Sequence, residues 1–250
     1  MFKRRKRVVV WLTMHSSLKL VMSAMLVVLM LFLFTYELPA TKTWTYWTMP
    51  LSGKTIALDA GHGGPDGGAE NKDGLIEKDI NLAITMHLRD YLQEAGAIVV
   101  MTRESDQDLA EPSTKGYSKR KTEDLINRAQ FISKQNADLF VSVHLNSIPS
   151  AKWSGAQTFY YPNHKDSGML AALIQDEIKQ NLKNTDRVAK PLEGNYLLKT
   201  VKVPSSLVEV GFLSNPAEAN LLKNPSYQKK VAASIYQGIL RYYAGEKVGY

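Results

Sequence analysis

No cysteine occurs among the 250 residues. Disulfides, thiolate metal sites and a cysteine nucleophile are therefore excluded. The compartment stays open, because exported proteins can do without disulfides. A basic folded surface is lacking as well. The formal net charge is +7, yet residues 1–49 hold seven Lys/Arg against one Glu, and residues 50–250 hold 24 basic against 23 acidic side chains. A nucleic-acid binder spreads a basic stripe over its folded domain. Here the excess sits in the opening MFKRRKR, so nucleic acid is not expected as a partner. No repeat of 20–50 residues is visible, which argues against solenoids and tandem modules. The G-x-S-x-G elbow, the P-loop and H-E-x-x-H are missing too, and their chemistries with them.

What is present begins with an apolar run, Leu20–Tyr36, that carries no charge. As a helix its 17 residues span about 25 Å, at the short end for crossing a bilayer. Lys3 to Arg7 and Lys19 precede it, so the positive-inside rule puts residues 1–19 in the cytoplasm and everything after Tyr36 outside. ELPATKT is a poor cleavage site, with Leu38 two before Ala40, so an anchor is favoured over a cleaved signal peptide. Residues 37–52 read as a linker, with Trp44, Tyr46 and Trp47 suited to headgroup level.

Residues 53–244 read as one catalytic domain, followed by a short tail, 245–250. Strand-like runs are TIALDA (55–60), AIVVMT (97–102), LFVSVH (139–144), AQTFYY (156–161) and SLVEVGF (206–212), with YLLKTVKV (196–203) a weaker candidate. Helical periodicity marks 77–94, 123–135, 166–182, 216–223 and 226–243, with Asn215-Pro216 and Asn224-Pro225 as helix starts and Gly96 as a C-cap. This alternation predicts an α/β fold, a mostly parallel mixed sheet of about six strands with helices on both faces. The polar stretch 104–122 is the longest loop; a solvated connection is favoured there over a flexible flap.

Four side chains are hard to explain structurally. His62 lies just past TIALDA, His144 closes LFVSVH, and Glu209 is the only charge in SLVEVGF. In an open α/β sheet ligands bind beyond the carboxyl ends of the strands, so parallel strands would put these three on one rim. Glu77 joins from a helix, at the top of the inward stripe of Ile80, Ile84 and Leu88. Each has a bland alternative: a hydrogen-bonded histidine, a glutamate favoured by the helix dipole, a structural ion pair. Together, two histidines and a carboxylate with one position left open form a catalytic zinc set. Glu209 is left over, and burial would raise its proton affinity as a general acid/base requires. Arg103 and Arg128 could meet substrate carboxylates or brace the fold. His15, His87 and His164 are left out of the site.

Five ordered blocks, DAGHGGPDGGA, GLIEKDINLA, MTRESD, LFVSVHLNS and LVEVGFLSNPAE, run between Lys54 and Tyr243. In them the chain resembles the zinc-dependent N-acetylmuramoyl-L-alanine amidases of bacterial cell walls, the amidase-3 type, with Ala60 where members often have proline. The resemblance implies zinc on His62, Glu77 and His144, and a catalytic Glu209. It further implies hydrolysis of the amide between the lactyl group of N-acetylmuramic acid and the first L-alanine of the stem peptide. The short, tethered architecture looks like the spore-cortex members of endospore formers, which prepare peptidoglycan for muramic-δ-lactam formation. Peptidoglycan and the membrane are then the expected partners; an activating protein is left open. A zinc peptidase acting on stem peptides and a non-catalytic wall-binding module are the alternatives.

Overall fold

The structure is a computed structural model that describes residues 14–35, 49–162 and 164–249. The chain divides after Thr48. In the first unit α1 (Met14–Thr35) is a single helix, and Met14–Phe32 is long and apolar enough to cross a membrane. It starts six residues before the apolar run and takes in Lys19. Trp44, Tyr46 and Trp47 lie outside the described residues.

The second unit begins at Met49, ahead of the boundary expected at 53. Leu51 explains the difference: its side chain is fully buried and its N–H donates to Ala95 O at 3.0 Å. The elements then follow as β1 (Thr55–Ala60), α2 (Glu77–Glu94), β2 (Ile98–Met101), α3 (Tyr117–Lys134), β3 (Leu139–Asn146), β4 (Gln157–Tyr160) and α4 (Lys165–Leu182). After them come β5 (Lys190–Pro191), α5 (Tyr196–Thr200), β6 (Ser205–Phe212), α6 (Pro216–Leu222) and α7 (Pro225–Tyr243). The six strands form one sheet in the order β2-β1-β3-β6-β4-β5. β2, β1, β3 and β6 are mutually parallel; β4 runs antiparallel to β6.

Alternation along the strands sorts the core into two layers. Ile56, Leu58, Val141, Val143, Val208 and Val210 pack with Ile84 and Leu88 of α2, Leu170 and Ile174 of α4 and Ile235 and Ile239 of α7. Ala57, Phe140 and Leu207 point the other way, onto Ala129 and Ile132 of α3 and Leu197 and Leu198 of α5. The expected helix-covered, mostly parallel sheet is what forms.

Three local expectations need correction. YLLKTVKV is not a strand: Asn195 caps a helix over 196–200, its side chain accepting from Leu198 N at 2.9 Å. α3 begins at Tyr117, six residues before the expected 123, because the charged faces of Arg120 and Glu123 have partners in the preceding loop. Arg120 forms two bonds of 2.6 and 2.7 Å to Asp108, and Thr114 donates to Glu123 at 2.5 Å. The polar loop is thus shorter than its composition implies and is tied down along its length. α2 is capped by Ala95, with Gly96 following at φ +90. Elsewhere the starts of α6 and α7 are as expected, with Asn215 and Asn224 accepting from the first-turn N–H groups.

Candidate metal centre

β1 leads through α2 to β2 on one side, and β3 pairs with β1 on the other. The connection therefore reverses direction between β1 and β3, the point where an open α/β sheet leaves a crevice at its carboxyl edge. The chain turns sharply there. His62 has φ +64, a left-handed conformation that costs a non-glycine residue free energy, and Gly63 and Gly64 follow at +137 and +56. Two buried arginines hold this turn by its carbonyls. Arg103 donates to Ala60 O at 2.8 Å and Gly61 O at 2.9 Å; Arg128 donates to Ala60 O at 3.0 Å and His62 O at 2.6 Å. Both arginines brace the fold, which decides between the two roles open to them.

Glu77 is the first residue of α2 and almost fully buried. Its Oε2 accepts from Ala69 N at 2.9 Å, and its Oε1 accepts from Leu145 N at 2.9 Å and from the Asn81 side chain at 3.3 Å. Backbone from the loop after β1 and from β3 thus fixes the carboxylate. Its Oε1 stands 3.2 Å from His62 Nε2 and 3.2 Å from His144 Nδ1. Taken together, the donor atoms of His62, Glu77 and His144 all lie within 4.8 Å of one another. The two imidazoles meet edge to face, centroids 5.0 Å apart.

Glu209 sits opposite His144 in the β3–β6 register. One of its oxygens, Oε2, is buried without a hydrogen-bond partner among the described residues. Burial pushes its carboxyl up to about 7; nearby His144 opposes the shift and the Glu77 charge adds to it. Glu77 is the opposite case. Burial would raise it, but hydrogen bonds to His144 and His62 hold it well below the usual carboxylate range. His62 is raised to about 9: burial works against the cation, and Asp66 and Glu77 more than offset it.

The chain matches the N-acetylmuramoyl-L-alanine amidase family over residues 56–241. It is 54% identical to the germination-specific N-acetylmuramoyl-L-alanine amidase of Bacillus subtilis (strain 168) over 230 residues, 92% of this chain and 97% of the relative. The solved CwlD amidase of Clostridioides difficile, in complex with the GerS lipoprotein, is similar with a TM-score of 0.76 and 47% identity, covering 78% of this chain and all of that one. An N-acetylmuramoyl-L-alanine amidase of Clostridium difficile 630 superposes with a TM-score of 0.69 at 31% identity, over 77% of this chain and 98% of that one. The chain belongs to this amidase family.

Three contributions to the amidase site were not read from the sequence. Asp66, four residues after His62, places Oδ2 2.9 Å from His62 Nδ1. The same carboxylate receives the Tyr117 hydroxyl at 2.8 Å, Gly68 N at 3.1 Å and Lys121 Nζ at 2.9 Å. Asn81, one turn below Glu77, bridges that carboxylate to Gly61 O. Asp59, fully buried, pairs with Arg128 at 2.8 Å and accepts from Thr102 and Ser142 at 2.7 Å each. An aspartate at i+4 in a glycine-rich turn was the one available signal. His164 is not part of the cluster; its Nδ1 accepts from Asp166 N at 3.3 Å and caps α4.

Proposed function

We propose that this amidase is zinc-dependent, with His62, Glu77 and His144 holding the ion and Glu209 moving the proton. The observation that carries the reading is the 3.2 Å spacing of Glu77 Oε1 from both imidazole nitrogens, with Glu209 Oε2, unpartnered among the described residues, on the adjoining strand. Bonds of about 2.0–2.1 Å in a tetrahedron put ligand atoms about 3.4 Å apart, so the donors fit zinc in kind and in spacing. Zinc bound there would supply Lewis acidity, polarising a carbonyl oxygen and acidifying water.

The remaining work falls to the protein. Glu209 takes a proton from the water that attacks the lactyl carbonyl carbon. It then gives that proton to the L-alanine nitrogen as the carbon–nitrogen bond breaks. Muramic acid is left with a free lactyl carboxylate, and the stem peptide with a free amino terminus. A carboxyl whose affinity lies near neutral pH can serve in both directions. Asp66 orients His62 through Nδ1 and leaves Nε2 for the ion.

The similarity to a relative named germination-specific supports spore-cortex peptidoglycan as substrate, on the route to muramic-δ-lactam. Helix α1 behind a basic segment supports a membrane anchor with the catalytic unit outside the cytoplasm, facing cortex in a spore former. The complex formed by the Clostridioides difficile relative with a lipoprotein supports a protein partner here too.

Cortex peptidoglycan digested with the purified chain, before and after chelation, tests the reading by mass spectrometry. New L-alanine amino termini and unsubstituted muramic acid are expected. Shortened stems would identify a peptidase instead. Full activity after chelation, or restoration by every divalent ion except zinc, would remove zinc from the account.

A further inference from the structure

Beyond the metal centre, a cavity of 560 Å³ opens between three loops that follow β1, β3 and β6. Its walls include Glu70, Lys72 and Asp73 from the first loop, Ile148 and Ala151 from the second and Leu213 from the third. We propose that this cavity seats the stem peptide of the substrate, on the leaving-group side of the scissile amide. The inference rests on the amidase reading and deepens it.

The cavity grows out of the backbone that holds Glu77. Ala69 N and Leu145 N donate to the two Glu77 oxygens at 2.9 Å each, and the cavity lining starts at Glu70 and at Ser147. The second and third loops are joined to each other: Leu213 N donates to Asn146 O at 2.8 Å, and Ile148 N to Ser214 Oγ at 3.3 Å. A substrate held beside Glu77 would reach this space by following the chain from Ala69 to Glu70 and from Leu145 to Ser147. The volume lies within the roughly 300–1,000 Å³ of small-ligand sites.

The first loop is built, not slack. Glu70 pairs with Ile76 across a short hairpin. At its tip the Asn71 side chain accepts from Asp73 N and Leu75 N at 2.9 Å each, and Asn71 N donates to Leu75 O at 3.1 Å. This framework presents Glu70, Lys72 and Asp73 exposed, and none of the three forms a side-chain ion pair among the described residues. Two anions and one cation are thus held ready at the mouth, above an apolar wall of Ile148, Ala151 and Leu213.

That lining separates the two halves of the substrate. The glycan half is uncharged beside the amide, and sugar rings favour aromatic faces; among the described residues no aromatic side chain lines this cavity. The peptide half carries the methyl groups of alanine, carboxylates from its γ-linked glutamate and diamino acid, and the latter's free amine. Charges of both signs over an apolar wall match the peptide.

The test compares two substrates on the full-length, zinc-loaded chain in detergent: N-acetylmuramoyl-L-alanine, and the same amide carrying a complete tetrapeptide stem. Wild type is expected to favour the longer substrate through KM. Lys72→Glu lowers that preference about five-fold, the scale of one solvent-exposed ion pair. Ala151→Trp, which fills the cavity, lowers it about ten-fold or more, and the free tetrapeptide loses potency as a product inhibitor of both variants. Lys229→Glu, an exposed lysine on α7, keeps the wild-type preference. Activity on the short substrate reports that each variant is folded.

The inference is overturned if both variants keep the wild-type preference. Failure of the wild type to cleave either substrate would sink the amidase reading itself.

Discussion

Glu209 and His144 are register partners on adjoining parallel strands, β6 and β3, and share the face that packs against α3 and α5. Neighbouring strands lie about 4.8 Å apart, so a carboxylate beside the His144 imidazole is a direct result of strand pairing. The prediction is that Glu209→Gln retains metal and loses about 10²–10⁴-fold in kcat. His62→Ala loses the metal as well. Elemental analysis alongside turnover separates the two, and a Glu209→Gln enzyme of near-normal kcat would exclude the proton-transfer role.

The same carboxylate makes the metal-free protein sensitive to pH. Burial raises its affinity to about 7 from an ordinary 4.5, so the folded state binds a proton that the unfolded state releases. Glu209 therefore costs no stability below about pH 4.5. Its cost grows as pH rises and is complete above about 7, reaching about 3 kcal/mol at about 1.4 kcal/mol per pKa unit. After chelation, Glu209→Gln should be more stable than wild type at pH 8, and the gap should close towards pH 4.5. Urea denaturation at the two pH values measures it; a gap that is constant with pH would contradict the assignment.

Asp66 stands 2.9 Å from the Nδ1 of His62. Loss of a carboxylate that orients a ligating histidine typically lowers metal affinity 10–100-fold. A proton competes in the other direction, because Asp66 helps raise His62 to about 9. In the wild type, zinc affinity should thus climb about ten-fold per pH unit up to about pH 9. Asp66→Asn should show its full loss only near pH 9, and a smaller one at pH 7. Competition with a zinc chelator across this range provides the measurement, and equal losses at both values would refute the coupling.

A Cβ at Gly61 would fall 2.3–2.6 Å from three atoms of the His144 ring, closer than any real contact. Its N–H already bonds Val143 O at 3.0 Å, so the backbone has little freedom to withdraw. Gly61→Ala should fold, with an unchanged far-UV spectrum, and lose zinc because His144 is displaced. A variant that keeps stoichiometric metal would show that the imidazole is not confined there.

Residue chemistry and the positions of the strand-like runs were legible in the linear chain. Apolar runs ending in DAGHGG, SVHLNS and LVEVGF placed His62, His144 and Glu209 at strand ends, and helical period put Glu77 on an inward stripe. Both patterns are local, so they survive without knowledge of the fold. YLLKTVKV misled because an Asn195 cap outweighs the β-propensity of a short apolar run.

What only tertiary structure decided is long-range. Arg128 is 69 residues from the aspartate it neutralises and Arg103 is 42 from Gly61, so their bracing of the histidine turn carries no local periodicity. The antiparallel run of β4 and the hold of Tyr117 and Lys121 of α3 on Asp66 depend equally on which elements meet. The sequence determined which atoms are available to bind and move protons. Packing decided which of them share one point in space, since hydrogen bonds between distant segments form only once the sheet has brought those segments together.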